Sequence, residues 1–471
     1  KRLGLRRFVF YDGREKTPDP RDQRATDEIL RRLQARLMDD ARQSDDILGR
    51  LRSLLRSFSA IEDNRSWYAK NLFPVHEEFL LWEALRKGST LRRYVSDVSG
   101  RPPSEMDRGI EFFARNFFAR GGELYYLLIS AGTEGDLERR RRIAAGLRIL
   151  LTERNQVLGE FARLINGAWD ELAAEDGDTA ITGTVGWIPD PHCHLYRLFA
   201  EDLDMFLDNS LDSLECLELL AHLISFHIVC YIYHRAHPAS DAEGHASGSC
   251  LDACRPHMLV DLLGDEDGGM IREKSAGLLR KHDAWQKERA REYVLEQARR
   301  WAAGQPDDTQ LIDTLASEAE QYFGRARTRA RDVYGQRVRE LRTRYGSQAV
   351  PREALIQGIS EAMFTSLSTD FHTNFLAVHG RLGRAIGLIA PRKGPRQRFV
   401  LGDTLLKTLV LANVRAGETL AFGALLERFY QRYGIVVGPG EARDAGLTER
   451  LRIDEEHFTR NREALLSRMK R

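Results

Sequence analysis

Apolar residues recur at intervals of three and four along most of this chain, which is the spacing of one buried face of a helix. One such stripe spans residues 311–345, and another follows Pro351 and spans residues 359–386. A stripe of this length can be buried only against a partner helix, so helical hairpins or bundles are expected. The predicted fold class is mainly α, with multi-domain helical bundles and minor short strands.

Two segments interrupt the helical pattern. Residues 179–191 bring β-branched residues together with glycine and proline, and residues 304–308 read Gly-Gln-Pro-Asp-Asp. Such clusters are typical of turns and domain boundaries. They predict an N-terminal helical domain (1–180), a middle helical domain rich in His and Cys (181–304) and a C-terminal helical domain (305–471). The minor strands are expected near the start of the chain, near 180–190 and at 435–437.

The C-terminal end has a pattern of its own. Residues 403–414 and 420–433 have helical spacing and are joined by a short turn. Gly434 then ends the second helix, and residues 435–437 are strand-like. The order helix, turn, helix, strand is typical of a winged-helix-like module, and it is also typical of a compact helical cap. The pattern alone leaves both interpretations open.

The longest apolar segment, residues 217–233, predicts a buried core helix. It contains Glu218, His222 and His227, and it is shorter than the roughly 20 apolar residues that cross a bilayer. The apolar run at residues 8–11 is too short for a signal-peptide core. Five cysteines are too few, and odd in number, for a disulfide framework. A cytoplasmic protein with reduced thiols and no membrane partner is therefore expected.

The charge balance limits how the chain can attract nucleic acid. Lys and Arg number 71 and Asp and Glu number 70, so the net charge is only +1 and any attraction must be local. Two local features are basic: a predicted helix over 321–345 with eight arginines and two acidic residues, and a loop without acidic residues over 392–398. They either contact DNA phosphates or pair with acidic neighbours on another helix or subunit. The candidate residues for binding double-stranded DNA are Arg325, Arg329, Arg337, Arg344, Arg392, Lys393, Arg396 and Arg398.

A second unusual region lies in the predicted middle domain. Residues 192–257 contain eight of the 13 histidines and all five cysteines. Four of them have side chains that could enclose a tetrahedral structural zinc ion: His245, Cys250, Cys254 and His257. Their spacing is not a standard zinc signature. The alternative is small buried thiols, hydrogen-bonded core imidazoles and a solvated loop, and no other cofactor is expected.

Catalytic motifs give a weaker signal. His192 and His194 form an H-x-H pair like those that open some metal-dependent hydrolase sites, but the alternating strands that would supply further ligands are missing. The acidic residues Glu201, Asp202 and Asp204 are expected to be solvated on a helix surface. No catalytic residue is assigned and the chain is not expected to be an enzyme. A metal-dependent hydrolase or nuclease that uses the His- and Cys-rich region is the alternative.

Three segments resemble a known family. They are NFLAVHGRLGRAIGLIAP at 374–391, DTLLK at 403–407 and RYGIVVG at 432–438, with a weaker likeness at 223–230 and 261–275. The chain resembles non-ATPase subunits of bacterial modification-dependent defence systems, namely the G subunit of phosphorothioation-dependent restriction or its counterpart in methylation-associated defence. The resemblance implies an accessory subunit that acts beside ATPase or helicase subunits to restrict unmodified invading DNA. A non-catalytic scaffold or DNA-contacting subunit is therefore expected, and an adaptor that binds only protein remains open.

Overall fold

The computed structural model describes residues 121–150, 193–237, 256–263, 269–303, 336, 339–344, 351–371, 376–391, 394 and 396–470. Within these residues 76% are helical and 4% are in strands, which confirms the prediction of a mainly α protein. The strands expected near the start of the chain and near 180–190 lie outside the described residues, as does most of the basic helix expected over 321–345.

The described helices and strands follow one another in a simple order. The helices are α1 (Gly121–Gly132), α2 (Leu137–Arg148), α3 (His194–Leu207), α4 (Ser213–Ala236), α5 (Gly269–Ala303), α6 (Arg352–Phe371), α7 (Val378–Ala385), α8 (Asp403–Asn413), α9 (Phe422–Tyr433), α10 (Pro439–Asp444), α11 (Leu447–Leu451) and α12 (Glu455–Met469). The strands are β1 (Met258–Leu259), β2 (Ile389–Ala390), β3 (Arg398–Phe399) and β4 (Ile435–Val436).

Helix α4 lies at the centre of the structure. It is long and apolar enough to cross a membrane by length and composition, but 89% of its apolar window is buried inside the protein. Helices α5, α7 and α8 pack around it, so its apolar residues are covered on several sides. Full burial of each large apolar side chain is worth about 1.5–3 kcal/mol, which makes α4 a main source of stability. The prediction of a buried core helix over 217–233 is confirmed.

One hydrophobic core runs through the described residues. Leu128 from the first predicted domain, Phe226 from the second and Phe429 from the third are all fully buried in the same cluster. The described residues of the three segments therefore share a core, although boundaries near 180 and 304 were expected to separate them. The division of the whole chain into three domains stays a prediction.

The second and third predicted segments also share a two-stranded sheet. β1 pairs with β4 in parallel, with Met258 opposite Ile435. β4 follows α9 directly because Gly434 ends that helix with a positive φ of 73°, a backbone conformation that favours glycine. The strand expected at 435–437 is confirmed, but it pairs with β1, a strand that was not expected. After β4 the chain enters α10.

Asn461 of α12 holds this sheet together at its end. Its Oδ1 accepts a hydrogen bond from the backbone N–H of Leu262 at 2.9 Å. Its Nδ2 donates to the carbonyl oxygens of Val260 and Val437, each at 2.9 Å. Asn461 is fully buried, and its bonds to Val260 and Val437 satisfy backbone carbonyls that are buried as well.

The stripe over 359–386 was expected to form one helix, and this expectation is wrong. The structure divides it between α6, which ends at Phe371, and α7, which begins at Val378. The two helices have different partners: α6 packs along α5, where Glu353 pairs with Arg299 at 2.5 Å, and α7 packs on α4. Ala377, directly before α7, is in a turn, so the stripe is not one continuous helix.

An antiparallel hairpin follows α7. Ile389 of β2 lies opposite Phe399 of β3, and Ala390 lies opposite Arg398. Gly387 leads into the hairpin with φ 76°, and a Cβ atom there would lie 3.3 Å from the Cα of Gly402. The seven residues between the two strands, 391–397, form the hairpin loop.

Candidate functional site

The loop of the β2–β3 hairpin carries an exposed cation, and the two strands below it are anchored in the core. Ile389 and Phe399 are buried in the core at the foot of the hairpin, so the two strands are anchored. In the loop, Arg396 is exposed. Arg392 and Lys393 belong to the same loop by sequence but lie outside the described residues. The loop over 392–398, which the sequence predicts to be basic and without acidic residues, therefore belongs to a hairpin whose strands are anchored in the core.

Arg398 differs from the other predicted DNA-binding residues. Its Nε lies 2.5 Å from Oδ2 of Asp261, whose side chain is fully buried, and its own side chain is only 17% exposed. Arg272 of α5 contacts the same oxygen at 3.3 Å. Asp261 thus joins β3 to α5, and removing one partner of such a buried pair costs about 3–5 kcal/mol. Arg398 therefore forms an internal ion pair at the base of the hairpin.

The other predicted DNA-binding residues lie on the basic helix. Arg344 is exposed in the short described helical segment 339–344, in which Leu341 is buried and Arg339 is exposed. This segment therefore turns an apolar side chain inward and cations outward. Three predicted residues lie outside the described part of the chain: Arg325, Arg329 and Arg337.

The predicted zinc site is described at only one of its four residues. His257 precedes β1, is partly buried, and has its ring centroid 6.0 Å from that of Tyr430. The other three predicted ligands lie outside the described residues: His245, Cys250 and Cys254. Within the part of the chain that the structure describes, no group of three or more His, Cys, Asp or Glu side chains is placed to hold a metal ion.

The remaining described residues of the His- and Cys-rich region belong to the core or its edge. Cys193, Cys216 and Cys230 are buried, and burial raises the pKa of Cys230 well above its ordinary value. His194 begins α3, whereas His192 of the predicted H-x-H pair lies outside the described residues. The burial of these thiols agrees with the alternative to a zinc site, in which the cysteines are small core residues.

A buried polar network, missed by the sequence analysis, centres on Asp202 of α3. Its side chain is fully buried, so the expectation that it is solvated is wrong. Tyr433 donates to Oδ2 at 2.8 Å, His227 Nε2 lies 3.0 Å from the same oxygen, and Arg432 donates to Oδ1. A buried carboxylate needs such partners because transfer of an unpaired charge from water is very costly. The spacing of Asp202 between Phe199 and Phe206, both on the buried face of α3, is the signal that indicates its burial.

His227 extends this network to α1. Its Nδ1 lies 3.0 Å from the hydroxyl oxygen of Tyr125, and Phe199 stacks on its ring at a centroid distance of 4.2 Å. Burial lowers the pKa of His227 although the bond to Asp202 opposes this, so the ring is neutral at pH 7. Burial and the nearby Asp202 carboxylate raise the pKa of Tyr125, which keeps its hydroxyl protonated. Tyr125 therefore donates to Nδ1, and His227 donates from Nε2 to Asp202.

Ion pairs continue the network toward the surface. Arg432 also pairs with Glu201 at 3.6 Å, and Arg139 of α2 pairs with Glu201 at 3.7 Å and with Asp204 at 3.6 Å. Asp202 itself is closed to solvent. The network joins α1, α2, α3, α4 and α9.

A second set of buried imidazoles joins α4, α5 and α7. His282 Nε2 lies 3.2 Å from the carbonyl oxygen of His257, and its ring stacks on Tyr233 at a centroid distance of 4.5 Å. Burial lowers the pKa of His282 to about 3. His379 Nε2 lies 2.6 Å from Oδ1 of Asp283. These contacts place α7, and with it the start of the hairpin, on the core.

Comparison of the chain with protein-family models, with curated proteins and with solved structures finds no match. What the protein does must therefore be inferred from its own residues. Of the features described above, the basic hairpin is accessible to a macromolecular partner, whereas the two buried polar networks are enclosed.

Proposed function

We propose that this chain is a non-catalytic subunit that contacts double-stranded DNA through the β2–β3 hairpin. The observation that carries the proposal is the β2–β3 hairpin, whose loop contains Arg392, Lys393 and Arg396 and no acidic residue, and in which Arg396 is exposed. Each phosphate that such a cation neutralises releases condensed counterions, and this release favours binding. The contact positions the protein on the duplex and does not read its sequence.

The anchoring of the hairpin supports this proposal. Phe399 is buried at its base, and the ion pair between Arg398 and Asp261 ties β3 to the chain two residues after β1. A loop whose ends are held in place loses less conformational freedom when it binds. A cation on this anchored loop therefore binds a phosphate at a lower entropic cost than the same cation on a free segment.

The hairpin is a better candidate for the DNA contact than the winged-helix-like pair α8 and α9. In a winged helix the second helix of the pair would face the duplex, but the exposed residues of α9 include Glu427 and Gln431, which are hydrogen-bonded at 2.8 Å. The two arginines of α9 are paired inside the protein: Arg428 with Glu418 at 3.4 Å, and Arg432 with the buried Asp202. The strand after α9 pairs in parallel with β1 and so does not begin a wing hairpin.

The place of this subunit in a complex is proposed from the sequence likeness alone. By that likeness, it acts in the bacterial cytoplasm beside ATPase or helicase subunits of an anti-phage restriction system. Co-expression with the genes that flank its own, followed by affinity purification with and without nuclease, tests this part. Retention of an ATPase subunit after nuclease treatment is expected. Retention of protein partners by a chain that fails to bind DNA would instead indicate an adaptor that binds only protein.

The DNA contact is tested by fluorescence anisotropy with a labelled 30-base-pair duplex over 50–200 mM salt. In the variant Arg392→Ala/Lys393→Ala/Arg396→Ala, loss of three phosphate contacts should reduce the slope of log K against log salt by about 2.7. The wild type should then lose about 40-fold more affinity over this range than the variant.

A matched control removes the same charge elsewhere. Arg141, Arg415 and Arg462 are exposed on α2, on the turn after α8 and on α12. Their triple replacement by alanine should leave the salt slope at the wild-type value. Equal slopes for the hairpin variant and this control would refute the proposal.

A further inference from the structure

The hairpin loop is the end of a longer segment without acidic residues. Between Asp370 and Asp403 the chain contains no Asp or Glu, but it contains six basic residues: Arg381, Arg384, Arg392, Lys393, Arg396 and Arg398. Acidic and basic residues are equally common in the chain as a whole, so this segment is a local excess of positive charge. Its first part is α7.

Helix α7 turns two of these arginines away from the core. Val378 and Leu382 are buried against the rest of the protein, which fixes the rotation of the helix. Arg381 is exposed and Arg384 is partly exposed, one turn apart on the remaining surface. Within the described residues, neither Arg381 nor Arg384 forms an ion pair with a carboxylate. Asp283, the carboxylate bonded to α7, contacts His379 instead, at 2.6 Å.

Gln397 joins this face of α7 to the hairpin loop. Nη1 of Arg384 donates to its Oε1 at 3.3 Å, and its Nε2 donates to the carbonyl oxygen of Pro391 at 3.5 Å. Gly380 leaves room for this arrangement, since a Cβ atom there would lie 3.2 Å from Nη1 of Arg384. The guanidinium of Arg384 therefore lies beside the loop at Gln397, next in the chain to the exposed Arg396.

We infer that Arg381 and Arg384 extend the DNA-binding surface and bind backbone phosphates of the duplex next to those bound by the hairpin loop. This inference rests on the proposed function, because it assigns further contacts to the same interface. Guanidinium groups suit this role, since their planar N–H groups can bind a phosphate at two oxygens. Arg384 has N–H groups that remain available beyond its one bond to Gln397.

The test compares Arg381→Ala/Arg384→Ala with Arg141→Ala/Arg415→Ala, which removes two exposed cations outside this segment. Binding of the labelled duplex is measured over 50–200 mM salt, with the hairpin variant beside them. Loss of two phosphate contacts should reduce the salt slope by about 1.8, so that the wild type loses about tenfold more affinity over this range than the α7 variant. The control should behave as the wild type does.

Two single variants separate charge from structure. Arg381→Ala alone removes an exposed side chain, and it should reduce the salt slope by about 0.9 without changing the unfolding midpoint. Arg384→Lys keeps the charge and should keep the wild-type slope, although the guanidinium bonded to Gln397 is lost. A reduced slope in Arg384→Lys would show that Arg384 acts only by holding the loop.

The outcomes distinguish this inference from the function on which it rests. If the hairpin variant loses salt dependence and the α7 variants match their control, the inference about α7 is wrong and the hairpin contact stands. If the wild type fails to bind the duplex, or if the hairpin variant matches its own control, both are wrong.

Discussion

Acidification should destabilise the protein through His282. Burial lowers the pKa of this imidazole to about 3 in the folded chain, whereas in the unfolded chain it returns to its ordinary value of 6.5. Below pH 6.5 His282 therefore binds a proton in the unfolded state but stays neutral in the folded state until the pH nears 3. The contribution of the neutral His282 to the free energy of unfolding is fully present above pH 6.5. It is lost as the pH falls toward 3, by about 1.4 kcal/mol per pH unit. Between pH 7 and pH 5 the expected loss from this residue is about 2 kcal/mol.

The assay is urea unfolding followed by circular dichroism at pH 7 and at pH 5. In His282→Gln, the amide Nε2 can replace the ring Nε2 as donor to the carbonyl of His257, and the side chain does not titrate. Whatever its stability at pH 7, this variant should lose about 2 kcal/mol less than the wild type on acidification. His457→Gln, at a partly exposed position of α12, is the matched control and should follow the wild type.

Subtraction of the two proteins removes the contribution of other groups. His227, whose pKa is also lowered by burial, titrates equally in the wild type and in His282→Gln, so its effect cancels in the difference. Equal losses of unfolding free energy in the wild type and in His282→Gln would refute the reasoning. That result would mean that His282 takes up its proton in the folded state as easily as in the unfolded one.

Three further predictions concern packing and buried hydrogen bonds, all measured as the free energy of unfolding in urea. Gly132→Ala should destabilise the protein by about 3 kcal/mol, because the new Cβ atom on α1 would overlap the carbonyl oxygen of Tyr196 on α3. The control Gly277→Ala lies in open space on α5 and should stabilise the protein by about 1 kcal/mol. Equal effects of the two substitutions would contradict the close contact between α1 and α3. Tyr433→Phe should cost about 2 kcal/mol by removing a donor from the buried Asp202 carboxylate, and a neutral result would show that the bond is not formed. Asn461→Ala should cost about 3 kcal/mol, since it leaves three backbone groups unpaired, two of them buried, and a loss below 1 kcal/mol would argue against these hydrogen bonds.

The helices could be predicted because their signals are local. The apolar spacing over 217–233 predicts α4, and Gly434 marks the end of α9 without reference to any other part of the chain. The strands carry no such signal. Each has only two residues, too few for a visible alternation, and β1 is defined by its partner β4 about 180 positions later.

The candidate site, like the fold, could be predicted where the signal is local along the chain and could not be predicted where it depends on distant residues. Charge along the chain predicts the loop with Arg396, because the absence of acidic residues can be read directly. The pairing of Arg398 could not be predicted, since its partner Asp261 lies 137 positions earlier and adjoins a strand that the pattern does not indicate. Asp202 shows the same limit: the spacing of α3 places it on the buried face, but Arg432 and Tyr433 come from the far end of the chain.

The central position of α4 has a consequence for synthesis on the ribosome. One of its main partners, α8, begins about 170 residues after α4 ends. At a translation rate of about 5–20 residues per second, α8 follows α4 by roughly 10–30 seconds. During this interval a helix with the hydropathy of a membrane span lacks the cover that α8 provides. Nascent chains of this protein should therefore depend on a chaperone that shields α4 until the C-terminal helices emerge.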